Sequence, residues 1–107
     1  STQLLKKMYP ESIEDSFISL GKQEELLIEA RDQVDREIKA LQEQKAEYEN
    51  KLKAKLGPHE KGTTENYTFH WKSYTSNRFD SKRFKTEHPD LYKEYVNETI
   101  SRKFLVK

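Results

Sequence analysis

Between Gly21 and Gly57 neither glycine nor proline interrupts a run of good helix formers, and Gly57-Pro58 then supplies a C-terminal cap followed by a stop. The run predicts one helix of about 35 residues, roughly 50 Å long at a rise of ~1.5 Å per residue. Glu24, Glu25, Glu29, Asp32, Asp35 and Glu37 gather in its first half, and Lys51, Lys53 and Lys55 in its last turns. That order of charge suits the helix dipole. An element of this length uses a third of the chain and leaves little for a conventional core.

Composition agrees, because only 33% of the 107 residues are apolar whereas 36% are charged. A domain this polar is expected to gain part of its order from a partner surface. Leu4, Leu5, Met8 and Tyr9 follow a first residue, Ser1, with no earlier element to pack on. Residues 1–20 are therefore expected to connect to an upstream domain. The absence of cysteine excludes disulfides and thiolate metal sites and suits a cytoplasmic location. No apolar run approaches the roughly 18 residues of a membrane span, and no signal-like segment opens the sequence. Neither membrane contact nor secretion is expected.

After the helix, HEKGTTE (59–65) is expected to be a loop, and Tyr67, Phe69 and Trp71 alternate with polar residues as in a half-buried strand over 66–74. In that strand Trp71 points inward and Tyr74 outward. Asp80 stands as an N-cap before SKRFKTEH, and Pro89 as the first residue of a second short helix, PDLYKEYV, with Leu91 and Tyr95 on one face. Arg102 to Lys107 alternate again, with Phe104 and Val106 on one side. The expected fold is α+β and mostly helical: a long helix, a strand, two short helices and a last strand that pairs antiparallel with 66–74. The expected divisions are 1–20, the long helix 21–56, and a small basic β-α-α-β module at 57–107.

The long helix carries Leu27, Val34, Leu41 and Tyr48 seven apart, with Ile38 and Leu52 offset from them, a partial heptad seam. Arg31 and Lys45 occupy the other offset positions. Two readings stay open: self-association through a coiled coil, and packing or docking of this face on another part of the parent protein.

Catalytic patterns fail on geometry. Glu37-Ile38-Lys39 and Glu43-Gln44-Lys45 have the E-x-K spacing of metal-dependent nucleases, yet residues two apart on a helix point about 200° apart and cannot converge on one cation. His59, His70 and His88 lack the spacing of a zinc site. Neither a Ser-His-Asp set nor a glycine-rich phosphate loop can be assembled. The expectation is a chain that is not an enzyme and holds no cofactor or metal of its own.

The second half is basic: residues 57–107 hold 10 Lys/Arg against 7 Asp/Glu, whereas residues 1–56 hold 10 against 12. Lys72, Arg78, Lys82, Arg83, Lys85, Arg102, Lys103 and Lys107 stand there among Tyr67, Trp71, Tyr74, Phe79, Phe84 and Phe104. Cations and aromatics mixed in this way suit phosphate contacts and base stacking, and suit equally a small aromatic core under a solvated surface.

Together, the long helix ending in KLKAKLG, then YTFHWK, RFDSKRFKTEHPDLYKEY and SRKFLVK, resemble the C-terminal region of YqaJ-type viral recombinases, phage exonucleases similar to lambda exonuclease. The resemblance covers roughly residues 20–107. It rests on Trp71-Lys72, Phe79-Asp80-x-Lys82, His88-Pro89-x-Leu91-Tyr92-x-x-Tyr95 and Arg102-x-Phe104-x-Val106-Lys107. It implies a parent protein with a PD-(D/E)XK nuclease core that uses magnesium to resect DNA ends, in partnership with a single-strand annealing protein. No part of that core is found in these residues, so no catalytic residue is carried over. The expected role is an accessory one, in DNA binding or in assembly with the catalytic domain or a second copy, with Lys72, Arg78, Lys82, Arg83 and Arg102 as the DNA contacts. A pure protein-interaction module is the alternative.

Overall fold

The computed structural model describes all residues, Ser1–Lys107. Six elements follow in order: α1 (Thr2–Met8), α2 (Lys22–Leu56), β1 (Lys61–Thr63), β2 (Thr68–His70), α3 (Ser81–Glu87) and α4 (Pro89–Tyr95). The mostly helical α+β class is as expected. The chain divides into two units, residues 22–77 and residues 1–21 with 78–107.

In the first unit, α2 runs 35 residues and ends where Gly57 takes a positive φ of 56° and donates its N–H to Lys53 O at 3.0 Å. Glycine enters this left-handed region without a Cβ penalty, so the cap read from the sequence forms as expected. The chain then reverses, with the His59 N–H on Leu56 O at 3.1 Å. Next comes a hairpin in which Lys61 pairs with His70, Gly62 with Phe69 and Thr63 with Thr68. Its turn is closed by Thr64 N–H on Tyr67 O at 2.8 Å and by Tyr67 N–H on Thr64 Oγ1 at 3.1 Å. A two-stranded ribbon is marginal alone. This one folds onto the last turns of α2, where Leu56, 5% exposed, is the one buried residue of the chain.

Three expectations are corrected here. HEKGTTE is not simply a loop, since Lys61–Thr63 is the partner strand of β2. The C-terminal residues 102–107 form no strand, so the sheet closes locally and not across the two short helices. Trp71 does not point into a core: the strand ends at His70, and the indole beyond it is 52% exposed. The Trp71 backbone N–H donates to Glu60 O at 2.9 Å, and Lys53 Nζ stands 5.4 Å from the indole centroid. The cover available is only two helical turns deep, too short to bury Phe69 and Trp71 together. Tyr74 is exposed, as expected, at 88%.

In the second unit, Asp80 caps α3 by accepting Arg83 N–H at 3.0 Å, and Pro89 begins α4, both as predicted. His88 ends one helix and precedes the next, its N–H on Phe84 O at 2.8 Å and its carbonyl accepting Tyr92 N–H at 2.9 Å. Phe84 packs between Phe79 and His88, with ring centroids 5.2 Å and 5.4 Å away. The half-buried residue of α4 is Tyr92 and not Leu91. Ser1 caps α1, a helix not anticipated in the expected connecting segment, and Arg102 Nη1 donates to Tyr9 O at 3.2 Å.

Candidate interaction surfaces

At about 100° per residue, Leu27, Val34, Ile38, Leu41, Tyr48 and Leu52 fall within an arc of about 100° on α2, with Arg31 and Lys45 inside the same arc. All six apolar residues are exposed, from 46% at Leu52 to 70% at Leu27. The stripe runs straight into the face that the hairpin covers. Leu52 belongs to both, lining a hollow of about 120 Å³ with Leu56, Phe69 and Trp71. The hairpin thus covers part of the last two turns of α2, and the stripe before them stays exposed.

Of the five cations singled out from the sequence, three already have neighbours. Lys72 pairs with Glu60 at 3.7 Å, Arg83 with Glu87 at 3.0 Å through an (i, i+4) contact on α3, and Arg102 holds Tyr9 O. Ion pairs this exposed are weak and exchange readily with solvent ions or phosphates. Arg78 and Lys82 flank Phe79, Asp80 and Ser81 around a shallow open hollow at the start of α3. Arg78, Lys82 and Arg83 therefore lie together at one helix end, whereas Lys72 belongs to the other unit.

Two features escaped the sequence reading. Lys53 lies over Trp71 and joins the helix end to the hairpin, a contact worth about 0.5–1 kcal/mol at an exposed site. No local spacing signals it, since the two residues lie on separate elements. Phe79, Phe84, Tyr92, Tyr95 and Val96 line an apolar hollow of about 290 Å³ between α3 and α4, with Lys85 Nζ 5.4 Å from the Tyr92 ring centroid. The Tyr92 and Tyr95 spacing of three residues was the available signal.

The E-x-K pairs lie on α2 as argued, and Lys39 is engaged by Asp35 at 3.1 Å. The His59 ring turns back to Leu56 O at 3.0 Å, His70 lies in β2 and His88 between α3 and α4. No group of three or more His, Asp or Glu residues converges as a metal site would require. No helix is long and apolar enough to cross a membrane.

No family model matches this sequence, and no solved structure matches it. Over 105 residues, 98% of its length, the chain is 34% identical to "Uncharacterized protein YqaJ" of Bacillus subtilis (strain 168). It spans 33% of the length of that relative, so it is similar, along nearly all of its own length, to a third of a YqaJ protein.

Proposed function

We propose that this chain is a non-catalytic accessory module, C-terminal to the nuclease core of a phage-type exonuclease of the YqaJ kind, which assembles the parent enzyme and steadies it on DNA. The observation that carries the proposal is the surface of α2: a stripe of six large apolar residues stays exposed in a chain whose one buried residue is Leu56. An apolar surface this extended marks a docking site for protein. In this reading α2 braces the module on the catalytic domain, on a second copy or on a single-strand annealing protein, and Arg78, Lys82 and Arg83 contact the DNA backbone with Lys72 and Arg102. Magnesium chemistry belongs to the nuclease core, and this module contributes position and grip.

Fluorescence anisotropy with labelled duplex and single-stranded DNA at two salt concentrations, with molar mass measured on the same sample, tests the DNA half. Salt-sensitive micromolar binding is expected. If the chain fails to bind at low salt, the DNA half falls.

A second reading, an interaction module that never touches DNA, is favoured by one observation. Lys72, Arg83 and Arg102 are already occupied by Glu60, Glu87 and Tyr9 O. The same titration separates the two, because this reading expects a defined oligomer or complex and no DNA binding at low salt.

A further inference from the structure

We infer that the partner of the α2 stripe is a second copy of α2 in antiparallel orientation, an inference that rests on the assembly role proposed above and specifies its occupant. The charges within the stripe decide the orientation. In a parallel, in-register pair every seam residue faces its own copy, so Arg31 meets Arg31 and Lys45 meets Lys45, two like-charge layers in a contact that excludes water. An antiparallel pair instead interleaves the two seam rows.

Centred between Lys39 and Ala40, within one residue of the middle of the 35-residue helix, the antiparallel register sets Leu27 against Leu52, Arg31 against Tyr48, Val34 against Lys45 and Ile38 against Leu41. Each pairing occurs twice by symmetry. The guanidinium of Arg31 then lies at a tyrosine ring, where a cation is favoured. Lys45 carries its stem against Val34 of the second copy and its ammonium toward Glu37, one turn beyond that residue, since Asp35 is engaged by Lys39 of its own helix. No ion pair within the chain engages Lys45. At the ends, Glu24 on one helix comes opposite Lys55 of the other in the same register.

The hairpin completes the fit. It ends the stripe at Leu52, and the hollow formed by Leu52, Leu56, Phe69 and Trp71 lies where Leu27 of the second copy arrives. A parallel pair would bring the two hairpins together at one end and leave both Leu27 ends uncovered.

The chain has no cysteine, so single-cysteine variants report orientation directly. Val34→Cys and Lys45→Cys both replace exposed residues of α2 and leave Leu56 and the hairpin intact. A disulfide needs Cα atoms within about 7 Å. Under mild oxidation the antiparallel pair gives a cross-linked dimer only when the two variants are mixed, and neither variant alone cross-links. Sedimentation equilibrium of the unsubstituted 107-residue chain should give twice the chain mass. Cross-linking of Val34→Cys with itself would show a parallel pair and overturn the inference, while leaving the assembly role standing. A chain that stays monomeric at high concentration would overturn it too, and would leave docking on the catalytic domain as the form the assembly role takes.

Discussion

Gly62 and Phe69 are cross-strand partners, and the Phe69 ring lies where a side chain at Gly62 would be: a Cβ built there falls 2.6 Å from Phe69 Cζ and 3.0 Å from Leu56 Cδ2. The glycine is what lets the hairpin lie flat enough for Phe69 to reach the buried leucine.

Gly62→Ala should therefore push the Phe69 ring away from Leu56. Overpacking of this kind costs about 1–3 kcal/mol, and the open outer side of the ring places the cost at the lower end. Amide exchange reports it: the Trp71 N–H, held by Glu60 O, should lose protection while the middle of α2 keeps its own. Unchanged protection at Trp71 would mean that the ring moves aside freely.

Asp80→Ala tests the cap of α3. The carboxylate accepts the Arg83 N–H in a helix of only seven residues, and loss of such a cap costs about 1 kcal/mol. So short a helix has little else to hold its first turn. Faster amide exchange at Arg83 and Phe84 is expected, with loss of the Phe79–Phe84 ring contact seen in aromatic chemical shifts. Asp80→Asn, which keeps an acceptor oxygen, should restore most of the protection.

These particulars mark what a single sequence can reveal. The long helix, its cap at Gly57, the Asp80 cap and Pro89 at a helix start were legible because each is set by a few neighbouring residues. The strand partner was not. Lys61-Gly62-Thr63 has no alternation to betray it, and what makes it a strand is the Thr64–Tyr67 turn that brings it back to Thr68–His70. Phe104 and Val106 share one parity in a tail that finds no ladder, since parity describes faces and does not supply a partner. Trp71 has the same parity as Phe69, but parity ceases to fix burial once the strand ends. The apolar stripe was legible residue by residue, together with Arg31 and Lys45 within it, but no spacing within one chain says what covers it.

Among the cations, Arg78 and Lys82 should contribute most to DNA binding. Neither takes part in an ion pair within the chain, whereas Lys72 shares its charge with Glu60. Each phosphate contact on duplex DNA adds roughly 0.9 to the slope of log affinity against log salt. Arg78→Gln with Lys82→Gln should thus flatten that slope by about 2, and Lys72→Gln by less than one full contact. Anisotropy titrations over a salt series measure both. Equal slopes for the double variant and the original chain would remove these two residues from the interface.

Arg31 and Lys45 hold the last prediction, because each lowers the strength of a seam while selecting its direction. Replacing both with leucine makes the stripe continuous, and each buried leucine side chain is worth about 1.5–3 kcal/mol when fully removed from water. Self-association should tighten by at least about ten-fold, measured as a lower dissociation constant in sedimentation velocity, since every 1.4 kcal/mol or so is ten-fold. The same change removes the like-charge layers that disfavour the parallel pair. Val34→Cys placed in the doubly substituted chain should then cross-link with itself, whereas no such cross-link is expected with Arg31 and Lys45 in place. Tighter association with orientation still strictly antiparallel would assign the direction to the acidic and basic ends of α2; association unchanged in strength would mean that the stripe is not the surface through which copies meet.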